Sequence, residues 1–474
     1  MPERYHIHTV PVPARFRRVG KFGNVDWRED CSRCTNCVKL RCCYDVYKHE
    51  SAYNRDPAAS VQTLDVCKAC LACVQGCTKG LLNLSVNPEF LDIGDEYWKP
   101  DILLTTWNQS DSGRIPVSGA GYRGRFHGPG FDSIWTDMSE IVRPTRDGIH
   151  GREYISTSVD IGPKPMRLKF APDGRMLTQP SRLLEIQFPA ILDMPAWPVG
   201  GDDLTSARAA AAKELKTLAV MSAADAAGLP PELLPFVAPV VGGDDIQKSM
   251  DLLQTVGMAQ VEESPDVVEL AGKLQSAHAR LIVSARLPLG PATAGRVVEL
   301  ARAGIKVFHL CADLHCRERL DDGRPGRHIK DVLREVHGRL VKEGMRDEVT
   351  LIISGGIALA EHMAKAIICG ADLVAVDTSL LVALGCRVCR NGHDMCSDDS
   401  CPAEIGSADR DYAAQRMVNL MAAWHDQLIE VLGAMGIREV RRLRGEVGRA
   451  IFMEDIEKEA FGDIARVPQA QVCA

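Results

Sequence analysis

Apolar runs alternate with amphipathic segments along the chain after residue 181. Six short apolar runs have the length and composition of buried strands: LLEIQFPAIL, TLAVMS, ARLIVSA, KVFHL, VTLIIS and DLVAV. Between them lie helical stretches such as LTSARAAAAKEL, TAGRVVELARAG and DVLREVHGRLVKEG. Strands that alternate with helices predict a parallel α/β domain. Because about 220 residues is near the usual size of a (β/α)₈ barrel, we predict a TIM-like barrel over 181–405, with a doubly wound sheet as the alternative.

The other parts of the chain have weaker periodicity. Residues 96–180 are rich in glycine, proline, arginine and aromatic residues, which predicts a connecting segment, and residues 406–474 read as a helical C-terminal tail. The connecting segment holds a G-x-G-x-x-G pattern at Gly119, Gly121 and Gly124. That pattern indicates a dinucleotide site only between a strand and a helix, whereas here RFHGPGF follows it. We therefore interpret it as a glycine-rich loop.

Composition narrows the classes of function. The 474 residues carry a net charge of −7 with both signs interspersed, so no basic stripe points to nucleic acid. No apolar run approaches the roughly 18 residues that a membrane span needs, and the N-terminus MPERYHIHTV lacks the apolar core of a signal peptide. We therefore expect a cytoplasmic protein, in which the 17 cysteines are more often metal ligands or catalytic thiols than disulfides.

Two cysteine runs near the N-terminus share the spacing C-x-x-C-x-x-C, and a fourth cysteine follows each. Three thiolates on one tight turn can bind three irons of a cubane, and in two-cluster ferredoxins the fourth cysteine binds the other cluster. Residues 1–95 are therefore predicted to form a ferredoxin-like domain with two 4Fe–4S clusters. The first cluster would use Cys31, Cys34, Cys37 and Cys77, and the second would use Cys67, Cys70, Cys73 and Cys42. Cys43 competes with Cys42 for this role, and a structural zinc site is the alternative.

A glycine pair follows the predicted strand VTLIIS. Ser354, Gly355 and Gly356 would lie between the C-terminal end of that strand and a helix, with backbone N–H groups that face a phosphate. In barrels, the loops after strands seven and eight often form such a site, and Asp377 and Thr378 after the last strand would complete it. The alternative is that the glycines only close a tight turn.

A third cysteine group follows the last predicted strand, in GCRVCRNGHDMCSDDSCP. The spacing of Cys386, Cys389, Cys396 and Cys401 matches neither a ferredoxin run nor a typical zinc ribbon. These cysteines could hold a further iron–sulfur cluster beside the barrel mouth, with zinc as the alternative. His393 in the same loop is more often a solvated side chain than a ligand.

The run SGGIALAEHMAKAIICGAD, the LLVALGC that follows it, and the upstream FDSIWTDMSEIVRPTRDGIHGREY resemble the FMN-binding domain of glutamate synthases. The chain is similar to the short archaeal-type large subunits, which carry an N-terminal ferredoxin-like segment. This resemblance implies a barrel that takes electrons through iron–sulfur clusters to FMN, for the reductive amination of 2-oxoglutarate by way of 2-iminoglutarate. It implies that Gly355 and Gly356 bind the FMN phosphate. It also implies a 3Fe–4S cluster on Cys386, Cys396 and Cys401, which Cys389 would make a 4Fe–4S cluster.

Three segments depart from the family pattern. ADLHCRERLDDGRPG stands where the family has a G-G-T-G-A segment, LIVSARL offers only Arg286 where a lysine is expected, and ILDMPAWPVG lacks the M-S-x-G-A segment. Two functions therefore stay open. One is an FMN-dependent, glutamate-forming enzyme in which Arg286 is the catalytic-site residue that grips a dicarboxylate. The other is an electron-transfer subunit of a larger redox complex. Lys330 is a second cation of this kind, for which we expect surface solvation.

The sequence shows neither a glutaminase domain with its N-terminal cysteine nor a credible NAD(P)H fingerprint. The resemblance therefore implies a hetero-oligomer, in which an NAD(P)H-oxidising flavoprotein or another redox subunit supplies electrons and a separate glutaminase subunit can supply ammonia.

Overall fold

The computed structural model describes residues 5–16, 18–19, 24–27, 34, 40–43, 70–115, 128–136, 154–164, 168–178, 182–197, 199, 202–242, 246, 249–320, 323–389, 401 and 403–462. The predicted glycine-rich loop at Gly119–Gly124 lies outside these residues. So do four of the predicted cluster ligands and one histidine: Cys31, Cys37, Cys67, Cys396 and His393.

Fourteen strands form in the described residues. They are β1 Asn24–Trp27, β2 Leu82–Ser85, β3 Ile134–Thr136, β4 Val159–Ile161, β5 Leu184–Ile186, β6 Ala190–Leu192, β7 Ala219–Ser222, β8 Val237–Val240, β9 Met258–Glu262, β10 Ile282–Pro288, β11 Val307–Cys311, β12 Thr350–Ser354, β13 Leu373–Val376 and β14 Ala450–Phe452. Three short antiparallel pairs, β1–β2, β3–β14 and β4–β5, lie outside the main sheet.

The α-helices of the same residues are α1 Ala72–Gln75, α2 Pro88–Asp92, α3 Pro100–Ser112, α4 Asp202–Glu214, α5 Ala223–Ala227, α6 Met250–Leu253, α7 Val267–Ala277, α8 Thr293–Arg302, α9 Ile329–Lys342, α10 Ala360–Ile368, α11 Thr378–Ala383, α12 Arg410–Ala434 and α13 Met453–Phe461. Among them, none is long and apolar enough to cross a lipid bilayer.

Strands β6 to β13 close into an eight-stranded parallel barrel, because β13 pairs with β6 in the register Val374 with Ala190 and Val376 with Leu192. The predicted TIM-like barrel is therefore confirmed. Strands β8 and β9 complete the closure, although the apolar pattern did not single them out. The run LLEIQFPAIL holds two strands rather than one, of which β5 pairs with β4 outside the barrel and β6 belongs to it.

The barrel strands are apolar on both faces because helices cover the outside and side chains fill the inside. Strands β11, β12 and β13 are buried at every position. The longest helix, α12, packs against α3 and α4. Its fully buried Arg416 donates from Nε to the Ala383 carbonyl at 2.6 Å and from Nη1 to Asp111 at 2.7 Å. Helix α12 is thereby joined to the end of α11, beyond the C-terminal end of β13.

Ionic contacts also fix the opposite end of the barrel. Asp372, just before β13, is buried and accepts from Arg346 Nη2 and Arg444 Nη1, each at 2.9 Å, and from the Leu351 amide at 2.8 Å. This network joins β12 and β13 to the chain that follows α12. The carboxyl ends of all eight strands face the other way, where active sites of such barrels are built.

Candidate functional site

The glycine pair after β12 forms a tight left-handed turn. Gly355 has φ +95° and Gly356 has φ +68°, a region that residues with a side chain rarely adopt. A Cβ on Gly355 would lie 2.6 Å from the Ala312 carbonyl oxygen, and one on Gly356 would lie 2.7 Å from the Cys316 amide nitrogen. Glycine is therefore required here both by conformation and by the close approach of the loop that follows β11.

The turn does not lead straight into a helix. Helix α10 begins at Ala360, and Leu359 before it is extended, with φ −141° and ψ 155°. The glycine pair therefore lies between a strand and a helix, as predicted, but Ile357, Ala358 and Leu359 separate it from α10, so its amides are not those of the helix N-terminus. The intervening Ala358 amide donates to His362 Nδ1 at 3.3 Å.

Two side chains cover the carbonyl side of this turn. The Cys316 thiol donates to the Gly355 carbonyl at 3.0 Å, and the Tyr97 hydroxyl donates to the Gly356 carbonyl at 2.6 Å. Tyr97 belongs to a short segment, residues 95–98, which also donates from Trp98 Nε1 to the Leu314 carbonyl at 3.0 Å. We call residues 95–98 the cover segment. Only an aromatic pair marks this segment in the sequence, because its contacts lie more than 200 residues away along the chain.

The amides of the turn face the other way. In a trans peptide the N–H points opposite to the C=O of the preceding residue, and none of the described peptide bonds is cis. The Gly356 and Ile357 amides therefore point away from Cys316 and Tyr97. Within the described part of the chain neither amide has a hydrogen-bond acceptor. Two donors are thus available to an anion, as the alternation of strand and glycine pair suggested.

Asp377 and Thr378 lie on the neighbouring turn, after β13. Asp377 is 7% exposed, and its Oδ1 accepts the Thr378 amide at 2.6 Å, which caps the short helix α11. Burial, and then the nearby charge of Asp193, raise the pKa of the Asp377 carboxyl to about 7. The Thr378 hydroxyl is buried with no hydrogen-bond partner among the described residues. Both residues therefore lie at the end of the strand, as the sequence predicts. However, the acceptor for the Thr378 amide is the Asp377 carboxyl itself.

Arg286 reaches the mouth from β10, where it is held by other side chains. Its guanidinium binds the Asp193 carboxylate in a bidentate pair of 2.9 and 3.1 Å, and Nη1 also lies 3.3 Å from Gln260 Oε1 and 3.0 Å from His309 Nδ1. Burial opposes the charge of Asp193, yet the Arg286 guanidinium lowers the pKa of Asp193 to about 2. Burial and the same guanidinium lower the pKa of His309 to about 3, so His309 is neutral. Arg286 is therefore satisfied within the barrel.

FMN, which the resemblance implies, needs donors and preferably a cation for its phosphate. The free amides of Gly356 and Ile357 and the Thr378 hydroxyl are suitable donors. However, Asp377 already accepts the Thr378 amide, the ionised Asp193 lies close enough to raise its pKa, and Arg286 is committed to Asp193. A phosphate dianion beside these carboxyl groups would be repelled in a buried site of low polarity. The described residues therefore do not fit the FMN phosphate.

The cysteines fit iron–sulfur clusters better. The Leu81 amide donates to Cys77 Sγ at 3.3 Å, and this contact, followed by that of the Lys79 amide, lowers the pKa of the Cys77 thiol. At the other end, Cys386 Sγ accepts the Val388 amide at 3.4 Å, where Val388 takes a left-handed φ of +48°. Amides aimed at cysteine sulfurs are typical of cluster ligands, whose thiolate charge they stabilise. No disulfide joins the described cysteines.

Among the other described cysteines that are predicted cluster ligands, only some lie near one another. Cys43 Sγ lies 3.8 Å from Cys70 Sγ, so Cys43 is placed beside the second predicted cluster. Cys389 is half-buried, and burial, followed by the nearby Cys401 thiol, raises the pKa of the Cys389 thiol. The Gly94 amide donates to the Arg387 carbonyl at 2.8 Å. The end of the N-terminal segment therefore contacts the C-terminal cysteine group directly.

The Lys330 side chain is buried, whereas the sequence predicts that it is solvated. It is 3% exposed, and its Nζ contacts Glu454 Oε1 at 2.6 Å, so the prediction of a solvated lysine is wrong. The reason is that Glu454 of α13 pairs with this buried lysine at the start of α9, where Asp331 Oδ1 also lies 3.6 Å from Nζ.

Comparison with known proteins identifies similar chains. Residues 324–438, from the end of the loop after β11 through α12, match the family model described as a conserved region in glutamate synthase. A protein of Dehalococcoides mccartyi named archaeal-type glutamate synthase (NADPH) is 23% identical over 475 residues, which cover 89% of this chain and 93% of that protein. The archaeal glutamate synthase (NADPH) of Archaeoglobus fulgidus is 24% identical over 517 residues, covering 97% and 98%. The region matched by the family model contains the glycine turn, Asp377 and the third cysteine group.

Proposed function

Because this chain is a member of the glutamate synthase family, we propose that it is an oxidoreductase subunit that carries electrons from a partner reductase through iron–sulfur clusters. The names of the relatives specify NADPH, which supports an NADPH-oxidising flavoprotein as the partner. In this proposal two 4Fe–4S clusters lie in the N-terminal segment and a third iron–sulfur cluster lies on the cysteines after β13.

One observation carries the proposal: the Gly94 amide donates to the Arg387 carbonyl at 2.8 Å. Gly94 closes the segment that follows the N-terminal cysteine runs, and Arg387 lies between Cys386 and Cys389. Both cysteine groups bear amide-to-sulfur hydrogen bonds, at Cys77 and at Cys386. The contact supports a path in which electrons enter at the N-terminal clusters and pass to the C-terminal cluster beside the barrel mouth.

Metal analysis of anaerobically purified protein tests this proposal. We expect about eight irons from the N-terminal segment and three or four more from the third group. Cys70→Ser should remove one N-terminal cluster signal, and Cys386→Ser should remove the third, in electron paramagnetic resonance spectra of the reduced protein. Cys369→Ala, at a buried cysteine of the barrel helices, is the matched control and should keep all the iron. Stoichiometric zinc with little iron would overturn the proposal.

The partner is tested by activity. The isolated chain should reduce neither clusters nor dyes with NADPH or NADH, because its sequence has no nicotinamide site. Addition of the partner flavoprotein should restore cluster reduction by NADPH. Rapid oxidation of either nucleotide by the isolated chain would contradict the need for a partner.

A second candidate function is the reductive amination of 2-oxoglutarate on FMN, as in the family. The free amides of Gly356 and Ile357 favour it, whereas Asp377 and the Arg286–Asp193 pair oppose it. Anaerobic incubation with reduced viologen, 2-oxoglutarate and ammonium separates the two functions. Glutamate formed with turnover, and abolished by omission of ammonium, would establish the second candidate. Electron transfer without glutamate is the result that we expect.

A further inference from the structure

Two neighbouring turns, after β12 and after β13, lie at the barrel mouth, and they differ in whether their backbone amides have acceptors. The Gly356 and Ile357 amides after β12 have no acceptor in the described part of the chain. After β13, by contrast, Asp377 Oδ1 accepts the Thr378 amide at 2.6 Å. In a barrel these two turns are the places that together hold a phosphate. One half of such a site therefore offers two backbone donors, whereas in the other half the Asp377 carboxyl takes up the Thr378 amide.

The surroundings of Asp377 make this carboxyl hard to displace. It is 7% exposed, its Thr378 neighbour is fully buried, and the Asp193 amide donates to the Val376 carbonyl at 2.8 Å, which fixes the two strand ends side by side. A second acid, Asp193, thus lies on the adjacent strand end. The cation that reaches the mouth from β10 is Arg286, and it contacts Asp193 through both guanidinium nitrogens. A phosphate dianion at this position would lie near two carboxyl groups, those of Asp377 and Asp193. The charge of Arg286 is already paired with Asp193.

The other side of the glycine turn is closed as well. Tyr97 and Cys316 donate to the Gly356 and Gly355 carbonyls, and a Cβ on either glycine would meet the backbone of residues 312–316. The cover segment is in turn fixed by His315, whose Nε2 lies 2.8 Å from Asp95 Oδ2. The turn therefore cannot shift toward this side to make room for a ligand.

We infer that Asp377 takes the place of a flavin phosphate, so that the barrel of this chain excludes FMN and serves as a scaffold beside the electron path. The inference rests on the proposed electron-transfer function and deepens it. Asp377 is the residue that decides the exclusion, because the Gly356 and Ile357 amides are available to a phosphate while the Asp377 carboxyl on the neighbouring turn occupies the Thr378 amide and disfavours a second anion.

The test measures FMN binding by the full-length chain and by Asp377→Ser. Serine is neutral and small, and it can still cap α11 through the Thr378 amide, so the helix should form. Flavin per chain is measured by absorbance after anaerobic incubation with FMN and desalting, and affinity by quenching of flavin fluorescence. Riboflavin, which lacks the phosphate, is run in parallel. Asp347→Ser changes an acid of comparable size on the exposed opposite end of the barrel and is the matched control.

We expect wild type and the Asp347→Ser control to retain no flavin, and Asp377→Ser to bind FMN at least tenfold more tightly than wild type does. Riboflavin binding should not improve, because the change affects only the phosphate position. Asp377→Gly, which removes the side chain altogether, should behave in the same way. Iron content, measured on each sample, reports whether the variants are folded.

Two results would overturn the inference. One is a wild-type chain that carries close to one FMN after desalting. The other is a folded, iron-replete Asp377→Ser and Asp377→Gly pair that binds FMN no better than wild type. Failure of the electron-transfer proposal looks different, since it would appear as missing iron in wild type whatever the flavin content.

Discussion

Arg286 and Asp193 form a bidentate ion pair across the barrel mouth, with hydrogen bonds of 2.9 and 3.1 Å. Asp193 is almost fully buried, whereas the Arg286 side chain keeps 16% of its surface exposed. The sequence offered Arg286 as a group that grips a dicarboxylate substrate. In the structure the Arg286 guanidinium pairs with a buried acid of the chain itself, Asp193.

Arg286→Ala should therefore be strongly destabilising. It leaves Asp193 charged and unpaired in the interior, which costs about 3–5 kcal/mol. Asp193→Asn should cost less, because the arginine that remains is partly exposed and still contacts Gln260 and His309. Urea unfolding of the two variants at pH 8 measures the difference. Equal losses of stability would contradict the ranking.

Arg286→Ala should also change how the stability of the folded chain depends on pH. His309 Nε2 lies 3.5 Å from Asp193 Oδ2, and burial and the Arg286 charge lower the pKa of His309 to about 3 in wild type. Without Arg286, burial still lowers the pKa of His309, but the Arg286 charge no longer does and Asp193 still raises it, so the folded pKa should be higher in the variant than in wild type. Relative to wild type, the stability gained in this way is present at low pH and lost as pH rises. Arg286→Ala should thus be less destabilised at pH 5.5 than at pH 8, and Arg286→Ala with His309→Gln should lose this difference.

The second N-terminal cluster should use Cys43 rather than Cys42. Cys43 Sγ lies 3.8 Å from Cys70 Sγ, one of the predicted ligands of that cluster. Cys43→Ser should then lose about four irons per chain, the content of one cubane. Cys42→Ser is the matched control on the neighbouring residue and should keep them. Iron loss confined to Cys42→Ser would assign the ligand the other way.

Acid stability should depend on Asp372. Burial opposes its charge, but Arg346, Lys164 and Arg444 lower the pKa of Asp372 below the ordinary value of 3.8. Because the folded pKa is depressed, the stability that this carboxylate adds is complete above about pH 4 and is lost as pH falls below it. Asp372→Asn should cost about 3–5 kcal/mol at pH 7, and the gap to wild type should narrow below pH 4.

Asp347→Asn provides the comparison for this prediction. Asp347 also contacts Arg444, at 2.9 Å, but it is 78% exposed. A surface pair of this kind contributes at most about 1 kcal/mol. Similar losses for the two variants in thermal unfolding would show that burial of Asp372 does not matter.

Much of the fold was predictable from the pattern because apolar strands and amphipathic helices alternate with the period of a barrel. The apolar pattern did not predict strands β8 and β9, because their sequences lack the composition of a buried strand. β8 has only four residues and contains Pro239, and β9 carries Gln260, a polar side chain that faces the interior. They become strands because neighbouring strands on both sides supply their hydrogen bonds, which is a tertiary effect.

The position of the candidate site along the chain was predictable from the sequence. The contacts that its residues make were not. Strand ends and a glycine pair are local features, so the turn at Gly355 and the position of Asp377 were accessible from the sequence. The contacts that decide their chemistry are not local. Tyr97 reaches Gly356 from 259 residues away, and Arg286 reaches Asp193 from 93 residues away. Only the closed barrel brings these groups together.

The titration of Asp377 gives the last prediction. Burial and the charge of Asp193 raise the pKa of Asp377 from 3.8 to about 7 in the folded chain. The unfolded chain therefore releases this proton at lower pH than the folded chain does, and wild type loses stability as pH rises from about 4 to 7. Asp377→Asn keeps an oxygen that can accept the Thr378 amide and carries no charge. The variant should match wild type near pH 4 and exceed it by on the order of 1–3 kcal/mol at pH 8, seen as a midpoint of thermal unfolding that is higher by several degrees. If the folded chain instead stabilised the ionised Asp377 carboxylate, the variant would lose stability relative to wild type at pH 8. A difference from wild type that is the same at both pH values would show that the carboxyl is not held in a buried, acid-rich environment.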